Sequence, residues 1–247
     1  MTAAEQRVRE TIIKHGPIRF DTLMTLALYE PEIGYYQTHM PGQDSDYQTS
    51  PTLTPWFGRL IARRLEQMWQ QIESPDRFDV IEIGAGNAAL AESAMDSLDG
   101  AFREALRWTF VEPFDPIRSA QVERMGADGT WVLTLEEIEP STGCLLANEV
   151  LDNFPVRSFE IGIDTTFEIY IGLDDDRLVE ILEPCDVARP ELEVGDRFEI
   201  NDHVDDWCKR AAAAIQHGFM LVIDYGDEEP ALFTRRPAGT IVTYSQG

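Results

Sequence analysis

The stretch DVIEIGAGNAAL, residues 79–90, constrains this chain more than any other. An apolar run ends at Ile83, glycines follow at 84 and 86, and helix formers continue to about residue 98. That order predicts a strand, a tight turn and a helix. Without a Cβ, Gly84 and Gly86 let the backbone approach a ligand and let the amino end of the following helix face it. Turns of this kind hold nucleotides in two enzyme classes. GAGNAA satisfies G-x-G-x-x-A, the dinucleotide fingerprint, and with Glu82 it equally satisfies the E-x-G-x-G-x-A turn that holds S-adenosylmethionine.

Glu82 separates the two. It stands two residues before Gly84, at the carboxyl end of an otherwise apolar strand, where a carboxylate is costly without a partner. A pyrophosphate at that position would be repelled, whereas a sulfonium and an ammonium would be favoured. The methyl donor is therefore the better fit, and the structural alternative is a Glu82 paired with a core arginine. The next strand ends in TFVEP, and Glu112 lies 26 residues beyond Gly86, near the offset at which an acid meets a ribose diol. Both readings of the glycine turn expect such an acid.

The rest of the chain supplies the frame. Residues 3–14 and the segment after Gly16-Pro17 read as two helices. Residues 30–55, dense in proline and glycine, read as a long loop, a site candidate by length alone. Residues 56–72 are amphipathic and helical. From residue 75 strands and helices alternate, which predicts a doubly wound, mostly parallel sheet with its site at the carboxyl ends of the strands. Residues 156–200 break the alternation, and their period-two apolar pattern predicts a β insertion. Two regions follow: a helical N-terminal region with its long loop over 1–74, and a Rossmann-like domain over 75–247.

The segment LLANEVLDNFPV ends an apolar strand in Asn148 and Glu149, with Asp152 close behind. Polar groups there would line the cleft. For an amine or guanidine acceptor, a carboxylate can hold the cation, orient one nitrogen and stabilise charge as it moves, and an Asn supplies further hydrogen bonds. The structural alternative is a turn capped by Asn148 or Asp152.

Charge narrows the partners. Asp and Glu total 45 against 20 Lys and Arg, a net charge of −25. Such a surface repels nucleic acid and anionic membrane and attracts cationic protein segments. Cys144, Cys185 and Cys208 stand far apart without a His cluster, so neither a metal site nor a disulfide framework is expected. The first residues carry Glu5 and Glu10 and lack the apolar core of a secretory signal or the acid-poor make-up of a mitochondrial presequence, and no run approaches the ~20 apolar residues of a membrane span. A cytoplasmic address is the expectation.

Several separated blocks together resemble one family. GPIRFDTLMTLALYEPEIGYY, DYQTSPTLTPWFGRLIA, EIGAGNAAL, LLANEVLDNFPVRSFE and LVIDYG are similar, in the same order, to the MidA-like methyltransferases, over essentially the whole chain from about residue 16. The resemblance implies an α/β fold: a Rossmann-like class I methyltransferase sheet with a helical N-terminal region and a β insertion. It implies S-adenosyl-L-methionine as cofactor and, from mitochondrial members that act on an arginine of a respiratory-complex subunit, protein arginine methylation. Carried onto this chain, the cofactor turn falls on Glu82, Gly84, Ala85 and Gly86, with Asn87 in the same turn, and the ribose acid on Glu112. A T-x-P loop falls on Thr49, Ser50 and Pro51, and the motif after the fourth strand on Asn148, Glu149 and Asp152. The chain departs from the family at Ala88 (a third glycine), Thr52 (Glu), Ser45 to Tyr47 (Gly-Asp-Phe) and Asp227 (often His). Relatives continue past Gly247, so the sheet is expected to be short at its C-terminus and to expose an edge that a partner, including a second copy in a homodimer, would cover. The alternatives are a non-catalytic assembly or binding protein on the same fold and, remotely, an NAD-dependent oxidoreductase.

Overall fold

In the computed structural model, residues 2–39, 54–188, 191–228 and 231–242 are described. In chain order the elements are α1 (Ala3–His15), β1 (Ile18–Arg19), α2 (Phe20–Tyr29), α3 (Tyr35–Thr38), α4 (Pro55–Gln71), β2 (Phe78–Ile83), α5 (Ala89–Met95), α6 (Gly100–Ala105), β3 (Leu106–Val111), α7 (Asp115–Met125), β4 (Gly129–Val132), β5 (Ser141–Asn148), β6 (Arg157–Ile161), β7 (Thr166–Asp174), β8 (Arg177–Cys185), β9 (Arg197–Ile200), α8 (Val204–Ala214), β10 (Ile215–Ile223) and α9 (Ala231–Arg235). They fall into two compact units. One takes its described residues from Met1–Thr38, Asn153–Val204 and Tyr225–Gly247, the other from His39–Asp152 and Asp205–Asp224.

The second unit is built on a parallel sheet in the order β10-β5-β2-β3-β4. From β2 the chain winds outward through β3 to β4, then returns to the other side of β2 with β5 and β10. The direction of winding reverses between β2 and β5, and in open parallel sheets that switch point leaves a crevice at the carboxyl ends of the strands. The turn at Gly84 and the loop after Asn148 both start there. Among the described residues β10 pairs only with β5, and Met220 and Val222 on it are more than a third exposed.

The core of this unit follows from the sequence pattern. Ile61, Leu65 and Met68 lie on the buried face of α4, and Leu90, Ala91 and Ala94 on that of α5. They pack with Phe78 and Val80 of β2, Trp108 and Phe110 of β3, and Cys144 and Leu146 of β5. Burying each of the large side chains is worth about 1.5–3 kcal/mol. The two helices approach closely because α4 has glycine at the contact: a Cβ on Gly58 would stand 1.9 Å from Ser93 Oγ and 2.8 Å from the Leu90 carbonyl. The helix expected after the glycine turn is shorter than its apolar pattern suggests. It ends at Met95 and a new helix starts at Gly100, whose φ of +62° is a left-handed conformation that glycine adopts freely.

The first unit holds an antiparallel sheet in which β6 pairs with the start of β7 and β1 with its later part, β8 pairs along the whole length of β7, and β9 pairs with β6. The β insertion is thus four strands, and the N-terminal helices belong with it: β1 pairs with β7, and Val8, Ile12 and Ile18 pack on Ile171. This grouping crosses the boundary drawn at residue 74. Residues 2–38 sort with the insertion and α4 sorts with the parallel sheet. Sequence-local reasoning cannot see it, because the two-residue β1 carries too little pattern to announce a strand whose partner lies more than 150 residues away. A second cluster joins Phe159, Ile161, Phe198 and Phe233, and Arg157 binds Glu168 in a fork with both bonds at 2.7 Å.

Candidate active site

The turn after β2 is wound as the glycines foretell. Gly84 and Gly86 have φ of +64° and +53°, and Ala88 N–H donates to the Ala85 carbonyl at 2.9 Å. A Cβ on Gly84 would stand 2.9 Å from Val150 Cγ2, so the glycine turn and the loop after β5 are in van der Waals contact. Asn87 Oδ1 accepts the Ala89 N–H at 3.1 Å, closing the first turn of α5. Ala88, where the resemblance leads one to expect a third glycine, is itself left-handed at φ +61° and buried. The departure falls where glycine's freedom would be used, and α5 starts one residue beyond it.

Glu82 has the partner that its burial demands, and it is not an arginine. Trp108 Nε1 donates to Glu82 Oε2 at 2.8 Å, from the neighbouring strand on the same face of the sheet. Glu82 is 2% exposed, and burial pushes its carboxyl up from 4.5 to about 7 against the indole N–H that holds it down.

Glu112, just past the end of β3, is buried too. Its carboxyl is raised from 4.5 to about 7 by burial, opposed by the Phe114 N–H, by Gln121 and by the charge of Arg118. Phe114 N–H donates to Oε1 at 3.0 Å, and Gln121 Nε2 donates to Oε2 at 3.2 Å. Gln121 Nε2 also donates to the Gly86 carbonyl at 2.9 Å. The glycine turn and the acid are therefore tied by one side chain.

At the end of β5, Asn148 Oδ1 is buried and has no hydrogen-bond partner among the described residues. Glu149 follows at φ +53°, and its N–H donates to the Ile223 carbonyl at 2.8 Å. Such a conformation in a residue other than glycine costs energy, and it persists where the surroundings over-determine it, commonly at functional sites. Here Asp224 does so: its Oδ2 accepts the N–H groups of Val150, Leu151 and Asp152 at 3.1, 2.8 and 3.4 Å. The cap expected of Asn148 or Asp152 is supplied by a residue beyond the end of β10.

Glu82, Gly84, Ala85, Gly86, Asn87, Glu112, Asn148, Glu149 and Asp152 thus stand along the carboxyl ends of β2, β3 and β5. Thr49, Ser50 and Pro51 lie outside the described residues. Sequence reasoning gave no role to Gln121, Trp108 or Asp224. For Gln121 a signal existed: Ile117, Gln121 and Met125 form an i, i+4, i+8 stripe, the buried face of α7, with a carboxamide in its middle. The residues fit an S-adenosyl nucleoside. They offer a glycine cradle and a carboxylate with acceptor positions beyond the two in use. No cluster of three His, Cys, Asp or Glu side chains suited to a metal ion occurs among the described residues.

Residues 60–247 match the model of a family described as S-adenosyl-L-methionine-dependent methyltransferases. The chain belongs to that family. The dinucleotide reading of GAGNAA falls with this match. Among relatives, the chain is similar to protein arginine methyltransferase NDUFAF7, mitochondrial, of Rattus norvegicus, 26% identical over 253 residues that cover 86% of this chain and 57% of that protein. The human protein of the same name is 25% identical, with the same coverage. A solved structure of a superfamily member from Burkholderia thailandensis with S-adenosyl-homocysteine bound is 26% identical, with a TM-score of 0.77 over 91% of this chain and 62% of that one. The chain spans little more than half the length of these curated relatives.

One expectation is corrected here. The acidic N-terminus suggested a cytoplasmic address, but these curated relatives are mitochondrial by name. Glu5 and Glu10 do not report on targeting because they belong to α1, a packed helix of the fold, where Thr2 caps the first turn and Glu5 pairs with Arg9.

Proposed function

We propose that this chain transfers a methyl group from S-adenosylmethionine to an arginine presented by a protein segment. The unpartnered Asn148 Oδ1 beside a strained, pinned Glu149 carries the reading. When bound, the cofactor supplies an electrophilic methyl on a sulfonium, already a good leaving group. The protein's task is then positioning. Glu149 holds the guanidinium and directs one nitrogen, and Asn148 Oδ1 accepts a second N–H of the same group. Gly84 to Gly86 and Glu112 hold the nucleoside. The net charge of −25 draws an arginine-bearing segment toward the site, and the relatives named as arginine methyltransferases support the same acceptor.

The test is transfer of a labelled methyl group to arginine-containing peptides by wild type and by Glu149→Ala. The substitution is expected to abolish transfer while cofactor affinity stays within about twofold, since Glu149 is assigned to the acceptor alone. Turnover retained in Glu149→Ala removes the residue from the mechanism. Methylation of lysine rather than arginine peptides by wild type overturns the acceptor.

A further inference from the structure

Gln121 is fully buried on α7, between Ile117 and Met125, where a carboxamide is costly unless each of its polar atoms is matched. Each is. Nε2 donates to the Gly86 carbonyl at 2.9 Å and to Glu112 Oε2 at 3.2 Å, and Oε1 accepts the Trp131 Nε1–H at 3.1 Å. The indole N–H can only donate, and the Gly86 carbonyl can only accept, so the amide has one orientation. Turned over, it would set oxygen against oxygen at Gly86 and nitrogen against N–H at Trp131. Trp131 is itself held by stacking on Phe110, with centroids 5.4 Å apart and planes at 17°. The amide is a strut between the turn after β2 and the acid after β3. With Phe114 N–H on Oε1 and Gln121 on Oε2, both oxygens of Glu112 are fixed in direction while each keeps an acceptor position.

We propose that Gln121 is a positioning residue that holds the Glu112 carboxylate and the Gly86 carbonyl in the arrangement that reads the ribose hydroxyls of the cofactor. This rests on the reading that the chain binds S-adenosylmethionine with its ribose at Glu112. Gln121 does not touch the sugar. Its effect on affinity runs through the hydroxyls that Glu112 meets, and loss of the strut leaves a carboxylate free to turn away from them.

The test is calorimetric titration with S-adenosyl-homocysteine and with its 2′-deoxyribose analogue, for wild type, Gln121→Leu and Trp131→Phe. Wild type is expected to bind the ribose ligand about tenfold or more tightly than the deoxy analogue, the loss typical of a hydrogen bond to a charged group. In Gln121→Leu that ratio should fall to about twofold, because the ribose ligand loses the hold on both hydroxyls while the analogue, which keeps only the 3′-hydroxyl, loses less. A purely structural role would weaken both ligands alike and preserve the ratio. Trp131→Phe keeps the stacking surface but removes the donor that anchors Oε1, which loosens the strut without turning it over, so its ratio should fall in the same direction by a smaller amount. It decides the matter if Gln121→Leu shows no cooperative thermal unfolding. An unchanged ratio in a folded variant overturns the role of Gln121. Wild type that binds both ligands equally overturns the ribose role of Glu112, and with it this inference, but not cofactor binding. Wild type that binds neither overturns the proposed function itself.

Discussion

Replacing Glu82 by Gln should change the way stability depends on pH, and in a direction opposite to that of most carboxylates. Burial raises the Glu82 carboxyl from 4.5 to about 7. Between those values the unfolded chain has released the proton and the folded chain still holds it, so stability falls as pH rises through this window and the loss is complete above it. At about 1.36 kcal/mol per pH unit the full loss is about 3 kcal/mol, of which about 2 kcal/mol falls between pH 5.5 and pH 8. Gln has the same shape, accepts the Trp108 N–H through its oxygen, and has no proton to lose. Urea denaturation of wild type and Glu82→Gln at the two pH values isolates this group, since packing differences cancel and Glu112 contributes equally to both chains. The variant should gain about 2 kcal/mol relative to wild type on going from pH 5.5 to pH 8. A stability difference that is the same at both pH values would refute the placement of an ionisable Glu82 in the core.

Substitutions at Asp224 and at Gly84 test the geometry. Asp224→Ala leaves three N–H groups of the loop after β5 without their acceptor and should cost about 1–3 kcal/mol with a large fall in methyl transfer, whereas Asp224→Asn keeps one acceptor oxygen and should recover most of both, as read by denaturation and by kcat. Gly84→Ala combines φ of +64° with a Cβ 2.9 Å from Val150 Cγ2, so it should cost about 1–2 kcal/mol and weaken cofactor binding; adding Val150→Ala relieves the contact but not the dihedral, and calorimetry of the pair should show only partial recovery.

The parallel sheet was legible because its strands are long, apolar and separated by helices, and because DVIEIGAGNAAL leaves little choice of local conformation. The placement of the candidate residues at the carboxyl ends of the strands was legible where each sits in a short local pattern: Gly84 and Gly86, Glu112 at a strand end, and Asn148-Glu149. What escaped is contact between elements distant in sequence. Glu82 advertised the need for a partner, but nothing in its neighbourhood named Trp108, 26 residues on. The cap of the loop after β5 comes from Asp224, and no local rule prefers it to the nearer Asn148 or Asp152. Likewise β1 is two residues long, so its place beside β7, and with it the grouping of the N-terminal helices, is a product of tertiary packing rather than of propensity.

The most direct test of cofactor binding at the glycine turn is calorimetric titration of the purified chain with S-adenosylmethionine, with NAD as the competing ligand. The site predicts saturable one-to-one binding of the methyl donor and none of NAD. Binding of NAD, or binding of neither ligand by a chain that unfolds cooperatively, would contradict it.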